Sequence, residues 1–167
     1  PGPDEGYRYL MSLAVAPILI PLLAGALSVA LWRYRMAQRV IGLLGTFALL
    51  AVSLRLLQVV YSEGMVVLHM GNWLAPLGIT LAVDMLGAIM VVLTGITGVA
   101  IALFSMGATP ERHERFGYYP LMHLLLAGVA GSFVTGDIFN LYVWFEVMLI
   151  ASFALLTLGG ERVQMEG

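Results

Sequence analysis

The 167 residues contain no cysteine and no lysine, and charged side chains of any kind make up only 11%. Without cysteine there is no disulfide framework, no iron–sulfur cluster and no thiolate zinc site. The net charge of −2, with no basic stretch to displace counterions from a phosphate backbone, excludes a nucleic-acid partner. The three histidines, His69, His113 and His123, are too scattered to make a metal-ligand pair at helical spacing, so no metal is expected. A phosphate loop, a dinucleotide fingerprint and a nucleophile elbow are all missing, which argues against soluble enzyme chemistry, and no residue pattern implies a cofactor.

The residues that are present are mostly apolar. Hydrophobic residues reach 60% and the mean hydropathy is +0.94. A soluble chain this short has too few polar side chains to cover its surface, whereas lipid accepts such a surface directly. The expected fold class is an all-α integral membrane protein. A hydrocarbon core about 30 Å thick needs about 20 helical residues to cross it. Five apolar runs meet that length: about 11–32, 40–61, 79–106, 118–134 and 137–158. Residues 1–10 are polar, carry two prolines and read as a loose tail, with Met11 a candidate native start. The first run is a poor signal peptide, because acidic residues precede it and it spans the whole bilayer.

Arginine placement sets the orientation, since positively charged loops stay cytoplasmic. Arg33, Arg35 and Arg39 follow the first run, Arg112 and Arg115 the third and Arg162 the fifth, while the alternate links 62–78 and 135–136 have no basic residue. The N-terminus is therefore expected outside, with 159–167 beginning a cytoplasmic loop. Between the second and third spans, Met65 to Trp73 is apolar but too short to cross, and Pro76 and Gly78 break the chain just before the third span. This link reads as a short hairpin or extended segment at the outer surface, with Trp73 at the interface and Trp32 as the matching inner anchor.

Ionisable residues inside the spans point to function, because each costs about 2.5–3.5 kcal/mol at the bilayer centre. Glu146 is the deepest, nine residues past Asp137 and so about 13 Å into the membrane. A carboxylate there either loads and releases a proton or acts as hydrogen-bonding glue between helices. Asp137 opens the fifth span and suits a helix cap, with a place in an ion pathway as the alternative. Asp84, near the outer end of the third span, is either a cation entry ligand or a carboxylate reaching headgroup water. Arg55 can snorkel outward and pair with Glu63 or Asp84, which favours a stabilising role over conduction. His123 reads as a hydrogen-bonded packing histidine ahead of a proton carrier. Gly87, Gly95, Gly98, Gly128, Gly131 and Ser132 allow close approach between helices.

The string TGDIFNLYVWFEVMLIASFALL at Thr135 to Leu156 closely resembles a segment of the D subunit of multisubunit Mrp-type sodium/proton antiporters. PILIPLLAG at Pro17 to Gly25 and GNWLAPLGITLAVD at Gly71 to Asp84 fit the same family, and the resemblance runs from Met11 onward. The wider family includes antiporter-like subunits of respiratory complex I and of membrane-bound hydrogenases. The resemblance implies that this chain is the front part of a longer subunit in a bacterial or archaeal inner membrane. It also implies that Glu146 matches a glutamate that moves protons in partnership with a lysine on a later helix, a lysine this sequence does not contain. Its implied partners are other membrane subunits, H+ and Na+, in a transporter rather than an enzyme. A proton-pumping subunit of a redox complex is the alternative.

Overall fold

The computed structural model describes residues 3–70 and 78–158; Trp73, Pro76 and Arg162, on which the expected interface anchor, chain break and last basic loop rest, lie outside them. The elements in chain order are helix α1 (Pro3–Ala30), helix α2 (Arg35–Glu63), strands β1 (Val66–His69) and β2 (Thr80–Val83), and helices α3 (Met85–Ala108), α4 (Glu111–Arg115), α5 (Tyr118–Val134) and α6 (Ile138–Leu156). Among the described residues four helices are long and apolar enough to cross a membrane, and the apolar α5 is a shorter fifth. At 17 residues it reaches about 25 Å, close to the hydrocarbon thickness.

Two boundaries differ from the sequence reading. The expected loose tail is helical from Pro3 onward, because α1 continues outward past the apolar run. The start of the third apolar run is strand rather than helix. Thr80–Val83 pairs antiparallel with Val66–His69 in the register Val66 to Val83 through His69 to Thr80. Val66, Leu68, Leu81 and Val83 are buried, the alternation that a half-buried strand requires. Gly64 turns the chain out of α2 at φ 88°, a conformation that glycine adopts without strain. The hairpin is held to the α5–α6 link by a bridge between Leu81 and Thr135 and by the Gly136 N–H donating to the Thr80 carbonyl at 2.9 Å. At the opposite end, Arg35 and Arg39 of α2 bond Glu111 and Glu114 of α4. The arginine-rich links thus share one end of the bundle and the arginine-poor links share the other, as the charge pattern requires.

Within the bundle α1 packs on α2 and α5, α2 on α3, α3 on α5, and α6 mainly on α5. Lipid is as apolar as the side chains, so helix association here depends on close packing rather than on release of water. The glycines make that packing possible. A methyl group on Gly95 would stand 2.9 Å from the Leu50 Cα, one on Gly128 3.0 Å from the Met148 nitrogen, and one on Gly131 would overlap the Trp144 ring. Buried hydroxyls return their hydrogen bonds to their own helices: Ser28 to Ala24, Ser53 to Leu49 and Thr94 to Met90. None of these three hydroxyls needs water. Gly95→Ala should therefore force α2 and α3 apart and destabilise the protein by about 1–3 kcal/mol. Gly107→Ala, whose new methyl meets nothing within 4 Å, should not. Thermal unfolding of the two variants in detergent distinguishes them.

Candidate functional site

Glu146 lies halfway along α6. Trp144, Met148 and the buried Ala151 form the stripe of α6 that faces α5, through Gly131 and Gly128. Two residues of helix turn a side chain by about 200°, so Glu146 points away from that stripe. Its neighbours on the same side, Tyr142, Val143, Phe145, Leu149, Ile150 and Phe153, are exposed, and only Asn140 and Ala151 of α6 are buried. The expectation of a buried glutamate at this position is thus corrected. Glu146 is half-buried and makes no ion pair among the described residues. Burial is incomplete because the described helices cover only one face of α6.

The buried glutamate is Glu114, which sequence reasoning missed. Its side chain is 1% exposed and receives Arg39 Nε at 2.9 Å, Arg39 Nη2 at 3.0 Å and the Tyr119 hydroxyl at 3.2 Å. Gly42 leaves the space in which the Tyr119 ring lies. Beside this pair, Arg35 donates to the exposed Glu111 at 2.7 Å. That hydrogen bond, with the charge of Arg35, holds the Glu111 carboxyl below the usual carboxylate range. A lowered carboxyl pKa supports the fold above the ordinary value and ceases to do so as pH falls through the lowered one. Solvent screening keeps that contribution small. The available signal was the matched one-turn spacing, four residues between the two arginines and three between the two glutamates.

Asp137 is the N-cap of α6, its Oδ1 accepting from the N–H groups of Phe139 at 2.7 Å and Asn140 at 3.4 Å. Asn140 Nδ2 in turn donates to Thr135 Oγ1 at 2.8 Å, tying the helix start to the link before it. Asp84 also proves to be an N-cap, accepting from the Gly87 N–H at 2.7 Å. No group of three or more histidines and carboxylates that could hold a metal ion occurs among the described residues. Arg55 does not pair with Glu63 or Asp84. Its Nε donates to the Tyr9 hydroxyl at 3.0 Å and its Nη1 to Gln58 Oε1 at 2.7 Å. Tyr9 belongs to the outer turns of α1, the stretch whose composition suggests a tail.

His123 is fully buried, its ring against Gly45 of α2 and its Cβ near Gly25 of α1. Neither ring nitrogen meets strict hydrogen-bond geometry among the described residues, and the Gly42 backbone is the polar group that interacts with the ring. The Trp144 indole nitrogen is buried without a partner among the described residues. The structure therefore separates the candidates: carboxylate caps at the hairpin end, an ion-pair cluster at the arginine-rich end, His123 between α1 and α2, and Glu146 alone on the open side of α6.

No protein-family profile matches the chain. It is 43% identical over 154 residues to the D subunit of the Na(+)/H(+) antiporter of Alkalihalophilus pseudofirmus, covering 92% of this chain and 31% of that protein. Among solved structures it resembles a chain of the membrane-bound sulfane sulfur reductase, an archaeal respiratory membrane complex, with TM-score 0.87 and 26% identity over 93% of this chain and 32% of the other. It resembles a chain of the Mrp complex from Dietzia with TM-score 0.81 and 28% identity over 89% of this chain and 27% of the other. The chain thus spans about a third of the length of the proteins it matches.

Removing either partner of the buried pair leaves the other charge uncompensated. Arg39→Gln, which strands the fully buried Glu114, should cost about 3–5 kcal/mol. Glu114→Gln should cost less, because Arg39 is 29% exposed and can turn to water. Thermal unfolding of the two variants and of the double variant measures the coupling. Asp84→Ala and Asp137→Ala should each cost about 0.5–2 kcal/mol as lost caps.

Proposed function

Over the third of their length that it spans, the chain is a member of the family of D subunits of Na+/H+ antiporters, and from that premise we propose that it takes part in proton translocation coupled to Na+ movement through Glu146. The observation that carries this reading is the place of Glu146 on α6. A carboxylate near mid-membrane on a face that no described helix covers is too expensive to leave against lipid. That face therefore requires protein or a water-filled cavity, and a cation from the covering element would hold Glu146 ionised. Moving that cation raises the proton affinity of the carboxylate, and restoring it expels the proton. Two coupled groups of this kind convert a conformational or ionic change into a proton transfer. The transport partners are other membrane subunits, and the cell membrane of a bacterium or archaeon is the setting.

A second reading, the proton-pumping part of a redox complex, is supported by the likeness to the sulfane sulfur reductase chain. The same glutamate would serve both, with electron transfer in a neighbouring subunit replacing the sodium gradient. Glu146→Gln keeps the shape and hydrogen bonding and removes the titration. In the complete subunit, assembled with its partners in inverted membrane vesicles, it should abolish sodium-dependent collapse of a proton gradient while leaving assembly intact. Unimpaired exchange by the variant would end the relay reading. Proton pumping that depends on an electron donor rather than on sodium would select the second.

A further inference from the structure

Between α1 and α5, at the arginine-rich end of the bundle, lies an apolar groove of about 400 Å³. Small and ring-shaped residues open it: Gly25 and Ala26 on one wall, Pro120 on the other, and Leu124 toward the bilayer centre. Its inner lip is built rather than accidental. Gly117 takes φ 93°, and the Trp32 ring lies directly on it, 2.9 Å from where a Cβ would be. Trp32 and Phe116 line the groove and are about half exposed, the placement of aromatic rings at headgroup level.

The charge at this lip has one sign in excess. Among the described residues five arginines, Arg33, Arg35, Arg39, Arg112 and Arg115, share the end with two glutamates, and both glutamates are taken by Arg35 and Arg39. Arg33 follows Trp32 and Arg115 precedes Phe116, so each stands one residue from the groove, exposed and without an ion pair among the described residues. An apolar slot at acyl-chain depth below unpaired guanidinium groups has the complementarity of one kind of molecule. We propose that this groove binds an anionic phospholipid, one acyl chain lying between α1 and α5 and the phosphate held by Arg33 and Arg115. Basic pockets between transmembrane helices on the cytoplasmic side recognise anionic head groups in this way. The groove lies toward the arginine-rich end of the α5 face that meets Trp144 and Met148 farther along through Gly131 and Gly128, and it does not depend on the role of Glu146.

The test uses the complete subunit in nanodiscs of equal parts phosphatidylglycerol and phosphatidylcholine, each in turn carrying a photoreactive acyl chain. The phosphatidylglycerol probe should label peptides 22–32 and 116–124 in preference to the phosphatidylcholine probe. Each arginine contributes about 1 kcal/mol near the surface, so Arg33→Gln and Arg115→Gln should each lower that labelling about fivefold. Ala26→Trp fills the groove from an exposed position and should abolish it; Val29→Trp, also exposed, does the same should the first variant fold poorly. Equal labelling by both head groups, or labelling confined to other segments because protein covers the groove, overturns the proposal.

Discussion

Every feature of this chain depends on one constraint: the hydrocarbon core offers no water to an unpaired backbone group. Helices satisfy it within themselves, and the structure departs from helix only where the chain turns back at either end. At the hairpin end the departure is largest. There β1 and β2 pair with each other, β2 bridges to Thr135, and the next helices begin under carboxylate caps at Asp84 and Asp137. At the other end the links are short, and their charged side chains meet in arginine–glutamate pairs. The two ends are therefore chemically unlike, one built on backbone pairing and caps, the other on side-chain charge.

The same constraint explains the glycines. With no hydrophobic driving force between helices in lipid, contact must be gained by bringing backbones close, and Gly95, Gly128 and Gly131 each stand where a methyl group does not fit. Packing made this way is intolerant of substitution and leaves the polar groups fixed relative to one another. Glu146 is positioned by it indirectly: Trp144 and Met148 lock against α5, and that lock determines which way Glu146 points. A side chain with a defined direction needs such a rigid frame.

Much of this is legible in the residues. The apolar runs mark the membrane-crossing helices, alternating arginines separate the two ends, and Asp137 announces its cap by preceding a long apolar run. The features that stay hidden have physical reasons. Ile79 to Val83 is as apolar as the helix it leads into, so hydropathy does not show that it pairs as a strand; the alternating burial emerges only with the partner in place. Asp84 resembles a membrane-edge ligand as long as its helix is taken to start six residues earlier, at Ile79 rather than Met85. Arg55 points to acidic partners because Tyr9 lies in a stretch with the composition of a loose tail. Glu114 is lost in a link that reads as simple positive charge, and the open side of α6 depends on which neighbours pack, which a single segment does not encode.

Infrared difference spectroscopy on the complete subunit reads most directly whether Glu146 changes protonation as the protein works. A protonated-carboxyl band should appear and disappear as the membrane proton gradient is reversed, and should be missing from Glu146→Gln. A carboxyl spectrum that stays constant through the reversal, or a band that survives the substitution, would contradict the relay and leave Glu146 a structural carboxylate.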